Sequence, residues 1–96
     1  MLVVYHPDAL REMQDAAQAY EDERPGLGDR FLNAADDTID LLSRFPSSGR
    51  DIGDGVRYHP LKRYPYSAVY ELHPDVIRVV AVAHHRRAPG YWRGRL

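Results

Sequence analysis

Two strands of one β-hairpin are predicted by residues 66–84, YSAVYELHPDVIRVVAVAH. Apolar and polar side chains alternate in Tyr66–Leu72, so one face of this segment is apolar and the other is mostly polar. His73-Pro74-Asp75 has the composition of a turn, and the apolar run Val76–His84 that follows favours a second strand. Because residues 79–83 are apolar on both faces, we expect this second strand to be central, or to have its outer face covered by another part of the chain.

The amino-terminal segments predict the second layer of the fold. The β-favouring residues Leu2–Tyr5 indicate a first strand, and Pro7 is placed to open a helix after it. That helix carries an apolar stripe and stops at Pro25-Gly26. A second amphipathic helix follows from about Leu27 to Phe45, so the two helices should form a hairpin with acidic outer faces.

A loop rich in Ser, Gly and Asp, residues 46–55, separates the helices from a further strand at Val56–Leu61. The resulting order β-α-α-β-β-β predicts one α+β domain over residues 1–96, in which a helix hairpin packs on an antiparallel sheet in two layers. We expect its core to contain Leu10, Tyr20, Phe31, Ile39, Leu42, Val80 and Val82.

Composition excludes several classes of protein. The chain has 96 residues and no cysteine, so it has no disulfide framework, thiolate metal site or cysteine nucleophile. No apolar run approaches the roughly 20 residues of a membrane span, and no signal-peptide pattern opens the sequence. HExxH, phosphate-binding glycine loops and spaced His/Cys clusters are missing, so we expect no metal and no cofactor. A soluble cytoplasmic protein without a membrane partner is predicted.

The net charge of −1 hides a segregation of charge along the chain. Residues 1–43 carry ten acids and three arginines, whereas residues 44–96 carry ten bases and four acids. The basic half can present a basic surface to an anionic partner. Alternatively, the two halves neutralise each other by packing together.

The densest functional candidate is the stretch after the last strand, residues 83–96, AHHRRAPGYWRGRL. Arginine binds phosphate or carboxylate bidentately, and aromatic rings offer stacking or anchoring surfaces. We therefore predict a target-binding surface here. We also expect this surface to be separate from the folding core, so that truncation before Tyr91 leaves the fold largely intact. The structural alternative is that Tyr91 and Trp92 simply cap the sheet. The predicted target-binding residues are Arg86, Arg87, Tyr91, Trp92 and Arg93.

A ribonuclease site could also be assembled from this part of the chain. RNA cleavage by the 2′-hydroxyl needs a proton acceptor, a proton donor and cations on the phosphate. Adjacent histidines on an extended segment point to opposite sides, so only one of His84 and His85 is expected to share a site with a given arginine. The residues that would form such a site are His84, His85, Arg86, Tyr91, Arg57 and Arg63.

Three segments together carry a family resemblance: FPSSGR at residues 45–50, RYPYSAVY at residues 63–70 and AHHRRAPGYW at residues 83–92. Their order and spacing resemble the ParE branch of the RelE/ParE toxin superfamily, which includes plasmid stabilisation proteins. The resemblance covers nearly the whole chain. It implies the toxin half of a bacterial type II toxin–antitoxin pair, neutralised by a small ParD-like antitoxin whose carboxy-terminal segment wraps over the toxin.

The superfamily offers two mechanisms. ParE-like members inhibit DNA gyrase and lack a catalytic set, whereas RelE-like members cleave messenger RNA on the ribosome with basic residues of the sheet. Lys62 is the only lysine here, and the Tyr-Pro-Tyr and His-His-Arg-Arg segments fit the ParE side, so we favour a non-enzymatic gyrase inhibitor. The alternatives are a ribosome-dependent endoribonuclease and a non-toxic binding module on the same fold.

Aromatic residues near the predicted hairpin indicate where the antitoxin binds. Tyr64, Tyr66 and Tyr70, with the two-sided apolar strand, supply more apolar surface than two short helices are expected to cover. We therefore predict that these three tyrosines contact the antitoxin.

Overall fold

The computed structural model describes residues 1–96 and forms one five-stranded sheet with two helices. In chain order the elements are β1 (Leu2–Tyr5), α1 (Pro7–Glu23), α2 (Leu27–Arg44), β2 (Arg50–Asp51), β3 (Val56–Pro60), β4 (Tyr66–Leu72) and β5 (Val76–His84). The sheet order is β1-β5-β4-β3-β2, so β5 lies between two neighbours, as its two-sided apolar pattern predicts. The predicted α+β fold of two layers is confirmed.

The sheet is mixed rather than purely antiparallel, which corrects one detail of the prediction. β3, β4 and β5 form an antiparallel meander, but β1 pairs with β5 in parallel, with Leu2 opposite Val76 and Tyr5 opposite Val79. Parallel neighbours need a long connection, and the helix hairpin together with β2–β4 supplies it. The predicted irregular loop also contains β2 and a single 3-10 turn at Pro46–Ser48.

Local capping sets the bounds of both helices. α1 begins at Pro7, and the His6 ring nitrogen Nδ1 accepts a hydrogen bond from the Asp8 backbone N–H at 3.0 Å. At the turn between the helices, the Glu21 carboxylate accepts from the backbone N–H groups of Gly26 and Gly28 at 3.0 and 3.1 Å. These bonds satisfy donors that a helix start leaves free. Neither helix is long and apolar enough to cross a membrane.

The main core lies between the helix hairpin and the sheet. Phe31 and Leu42 of α2 are fully buried there, with Val82 of β5, as predicted. Tyr20 and Ile39 are half-buried against this core. Leu10 is instead 39% exposed, because the buried stripe of α1 runs through Ala9, Met13, Ala16 and Ala17 and Leu10 lies beside it.

A second, smaller cluster lies on the other face of the sheet and explains why β5 is apolar on both sides. Tyr70 pairs with Val79 and Val69 pairs with Ala81, so Val80 is an extra residue without a partner in β4. Such a bulge places consecutive side chains on one face. Val80 and Ala81 accordingly belong to a buried cluster with Val56, Val69 and Trp92. Val80, predicted as core, is fully buried in this second cluster.

Tyr70 is an internal residue, and this corrects the expectation that its ring offers exposed surface to a partner. Its side chain is fully buried. The Tyr70 hydroxyl donates to the Pro46 carbonyl oxygen at 2.6 Å and accepts from the Gly49 backbone N–H at 3.0 Å. Tyr70 therefore fixes the chain after α2 against the sheet.

Replacing Tyr70 by phenylalanine should leave these two backbone groups without a partner. We expect Tyr70→Phe to lower the free energy of unfolding by about 1–3 kcal/mol, measured by urea denaturation. Tyr58→Phe is the matched control, because the Tyr58 hydroxyl has only a 3.4 Å contact with Arg50, and its effect should stay within about 0.5 kcal/mol. Equal losses in the two variants would contradict this role of Tyr70.

Candidate functional site: the basic carboxy-terminal tail

The tail, residues 85–96, folds back over the outer face of the sheet, the face that the helices leave uncovered. Trp92 is only 5% exposed and packs in the cluster that contains Val56, Val69 and Val80. A single 3-10 turn at Arg93–Arg95 follows it. Trp92 thus covers the sheet, as the structural alternative holds, and its ring is not available as an exposed contact for a target.

Glu12 of α1 holds the end of the tail. Its Oε1 accepts from Arg95 Nη1 at 2.9 Å, and its Oε2 accepts from Arg95 Nη2 at 3.0 Å. The Tyr91 hydroxyl donates to Oε2 at 2.7 Å. The Glu12 and Arg95 side chains are each only 17% exposed, so this bidentate pair is largely shielded from water.

The Glu12–Arg95 pair also completes the edge of β5. Because β1 ends opposite Val79, it provides no partner for β5 beyond that point. The Val82 backbone N–H donates to Glu12 Oε1 at 3.1 Å, and the Val80 carbonyl accepts from Arg95 Nη1 at 3.0 Å. Two side chains thus do what a neighbouring strand would do.

Sequence reasoning missed Glu12 and Arg95 as a functional pair. One signal was present, because Glu12 stands three residues after Ala9 and four before Ala16, within the buried stripe of α1. A carboxylate at such a position needs a buried partner. The identity of that partner depends on the path of the tail.

The other tail arginines present their charge to solvent. Arg87 lies over the Tyr91 ring at 3.9 Å from its centroid, and Arg93 lies over Trp92 at 4.9 Å. Arg93 also approaches the Asp54 carboxylate at 3.5 Å. Arg86 and Arg87 are exposed and form no ion pair. The tail therefore exposes these arginines to solvent, while Trp92 and Arg95 hold it against the rest of the domain.

His84 and His85 lie on opposite faces of the sheet, as predicted for neighbours on a strand. The His84 ring meets the Tyr66 ring edge-on at 4.9 Å, on the helix side. The His85 ring nitrogen Nε2 is 2.9 Å from Ser67 Oγ, on the outer face. His85 and Ser67 line a cleft of about 610 Å³ between the sheet and the tail.

Two of the remaining nuclease candidates, Arg57 and Arg63, line neither the cleft of His85 nor the small crevice that His84 lines. Arg57 pairs with Tyr70 on the helix side of the sheet, and its guanidinium donates to the Gly49 carbonyl at 2.8 Å. Arg63 lies in the loop between β3 and β4. The structure brings together Tyr91, His84 and Arg87 around a small crevice but leaves Arg57 and Arg63 outside it. Nowhere do three His, Cys, Asp or Glu side chains come together as metal ligands would.

Tyr64 and Tyr66, predicted to contact an antitoxin, are half-buried. Both rings meet Phe31 edge-on at 5.2 Å, and Tyr64 also meets Tyr20 at 5.3 Å. Tyr64 lines the largest cleft of the molecule, about 990 Å³, between α2 and the β3–β4 loop. Of the three predicted tyrosines, Tyr64 thus lines the largest cleft, and Tyr66 lines the small crevice beside His84 and Tyr91.

Neutralisation between the acidic and basic halves is local. Arg95 alone joins the two halves over a long sequence distance, through Glu12 at 2.9 Å and Asp8 at 3.8 Å. The only other ion pair between the halves, Asp40 with Arg44, lies within one helix turn. Half of the ten cations of the basic half form no ion pair, namely Arg50, Lys62, Arg63, Arg86 and Arg87.

The fold is that of a small two-layer α+β domain with a basic carboxy-terminal tail. A solved structure described as the chromosomal ParDE TA system from P. aeruginosa superposes with a TM-score of 0.65 at 19% identity, over 88% of this chain and 95% of that chain. Residues 3–89 match the model of the family described as ParE toxin of type II toxin-antitoxin system, parDE. The chain belongs to this ParE toxin family. No curated protein matches the sequence.

Removing the Glu12 carboxylate should loosen the tail and the β5 edge together. We expect Glu12→Ala to lower the free energy of unfolding by about 2–4 kcal/mol, because Arg95 and the Val82 N–H lose their partner. Asp15→Ala, an exposed acid of the same helix, should cost less than about 0.5 kcal/mol. The double variant Glu12→Ala/Arg95→Met should lose less free energy of unfolding than the two single variants lose in sum. Strict additivity in urea denaturation would rule out the coupling.

Tyr91 should make stability sensitive to alkaline pH. Burial, and then the hydrogen bond and charge of Glu12, raise the pKa of Tyr91 above its ordinary value. An unfolded tyrosine ionises near pH ~10, so the contribution of the neutral hydroxyl is complete below that pH and is lost above it. The free energy of unfolding of Tyr91→Phe should therefore fall less steeply above pH ~10 than that of the parent chain. Identical slopes would contradict this assignment.

Proposed function

We propose that this protein is a gyrase-inhibiting toxin of a bacterial type II toxin–antitoxin pair, held inactive by a small ParD-like antitoxin encoded beside it. Membership of the ParE toxin family gives the class of protein. DNA gyrase as the target and the bacterial cytoplasm as the location are part of this proposal. The toxin acts by binding, and the tail is the surface that contacts the target.

The anchored tail is the observation that carries this proposal. Arg86 and Arg87 are exposed and free of ion pairs, while Trp92 and the Glu12–Arg95 pair hold the segment behind them. A segment that is already held in place loses less conformational entropy when its charged side chains bind a partner. Cations held in this way suit a partner with an anionic surface.

The absence of Arg57 and Arg63 from the crevice that His84 and Tyr91 line supports inhibition rather than RNA cleavage. A general base, a general acid and the phosphate cations must converge on one reacting group. Arg57 is bound to the Gly49 carbonyl on the helix side, and His85 is bound to Ser67 on the outer face. Arg63 of the β3–β4 loop lines a different cleft, whose lining includes neither of them. This arrangement favours a binding surface.

Two assays on one preparation test the proposal. The free protein should block DNA supercoiling by purified gyrase and should leave messages on translating ribosomes intact. Codon-positioned cuts without a gyrase effect would support the endoribonuclease instead, and no effect in either assay would support a non-toxic binding module.

Charge reversal of the tail should abolish inhibition without unfolding the protein. We expect Arg86→Glu/Arg87→Glu to raise the inhibitory concentration at least about tenfold, because both cations are exposed binding groups. Arg11→Glu/Arg50→Glu, with the same change of net charge at other exposed positions, should shift it less than about threefold. The melting temperature of both variants should stay close to that of the parent. A tail variant that inhibits fully would remove the tail from the target-binding surface.

A further inference from the structure

The cleft between the outer face of the sheet and the tail has the size of a small-molecule site. Its volume is about 610 Å³, and such sites occupy roughly 300–1,000 Å³. Tyr58 of β3 and Val69 of β4 line it together with Pro89 and Trp92 of the tail. Seven of its 14 lining residues are hydrophobic, so the cleft suits the apolar body of a small ligand.

One cation of this cleft is both free and held in place. Arg87 lines the cleft, is exposed and forms no ion pair. Its guanidinium lies over the Tyr91 ring at 3.9 Å from the centroid, and the Tyr91 hydroxyl donates to Glu12 Oε2 at 2.7 Å. An arginine that stacks on a ring keeps its in-plane N–H donors available for a bidentate contact with a carboxylate. Glu12 thus fixes Tyr91, and Tyr91 orients Arg87.

A polar pair lies in the same cleft among apolar neighbours. The Ser67 side chain belongs to a residue that is only 6% exposed, and its Oγ lies 2.9 Å from His85 Nε2. A hydroxyl has one donor and two acceptor positions, so this single contact leaves it able to bind a further polar group. Ile52, Val69 and Ala83 supply apolar lining. A few polar groups in a mostly apolar cleft are typical of sites that orient a small ligand.

Tyr58 provides an aromatic surface for such a ligand. Its side chain is half-buried, and its ring neither stacks on nor meets edge-on any other aromatic ring of the chain. Tyr64 and Tyr66, by contrast, already pack against Phe31. Offset stacking or an edge-to-face contact with Tyr58 therefore favours a ligand that has a ring of its own.

The charge of the cleft selects the class of ligand. Arg87 is the single arginine or lysine in the lining, and no aspartate or glutamate lines the cleft. One free cation matches one negative charge, whereas a nucleic acid would bring several phosphates to the same place. We propose that this cleft binds a small aromatic monocarboxylate, with its ring against Tyr58 and its carboxylate against Arg87. The inference uses neither gyrase nor an antitoxin, so it goes beyond the proposed function.

Trp92 provides a built-in reporter for the test. It is the only tryptophan of the chain, and it lines this cleft but not the larger cleft beside α2. Its indole N–H resonance can therefore be followed by NMR while naphthalene-2-carboxylate is added to the purified chain. We expect a shift that saturates, with half-saturation below about 1 mM. The neutral analogue naphthalene-2-methanol should bind at least about tenfold more weakly, because it lacks the charge that Arg87 recognises.

Variants of the lining locate the probe. Arg87→Leu should weaken binding of the acid at least about tenfold and leave the alcohol unchanged. Arg86→Leu makes the same change at a neighbour that does not line the cleft, and should alter either affinity by less than about threefold. Ala88→Phe, at an exposed position of the lining, should weaken both probes at least about tenfold, whereas Gln14→Phe on the exposed face of α1 should not. The melting temperatures of these variants should stay close to that of the parent.

Three results would overturn the inference. If the Trp92 resonance of the parent chain shows no saturable shift, the cleft does not bind this class of ligand. Equal affinities for the acid and the alcohol would remove the carboxylate, and with it the role of Arg87. Unchanged binding in Ala88→Phe would place the probe outside the cleft. Since the readout is the resonance of the chain itself, each of these results leaves the proposed function standing.

Discussion

The structure depends on how the edge of β5 is completed beyond β1. β1 is only four residues long and reaches Val79, yet β5 continues to His84 through the most apolar part of the molecule. An unpaired edge at that place would leave buried backbone groups without partners. Glu12 and Arg95 pair with the Val82 N–H and the Val80 carbonyl, and thereby join α1, β5 and the tail in one contact.

A buried ion pair of this kind couples parts of a fold more than it stabilises them. The cost of removing both charges from water offsets much of their attraction, but removing one leaves the other uncompensated. The tail is therefore not an appendage. Truncation before Tyr91 would remove Trp92 from the outer cluster and Arg95 from Glu12, so the expectation that it leaves the fold largely intact is wrong. Point changes at exposed Arg86 and Arg87 address binding without this disturbance.

What the sequence predicted well has a local cause. Periodicity and turn residues located both helices and the β4–β5 hairpin, because a face that must be buried repeats along each element. The parallel β1, the Val80 bulge and the Glu12–Arg95 pair depend on which segments meet, and no local pattern contains that information. The same limit explains the site. Arg86 is exposed, as expected for a cation of the tail. The exposure of an aromatic side chain depends instead on which segment packs against it, and Tyr70, expected at the surface, is buried for this reason.

Five of the seven cations that form no ion pair lie at two separate places. Arg86 and Arg87 are carried by the tail, whereas Arg30, Lys62 and Arg63 surround the cleft beside α2, whose lining includes no tail residue. A row of rings from Tyr64 through Phe31 and Tyr66 to His84, with successive centroids 4.9–5.2 Å apart, connects the two places. Packing continuity alone does not establish coupling, so a change at the cleft would reach the tail only if this row of rings has a second arrangement.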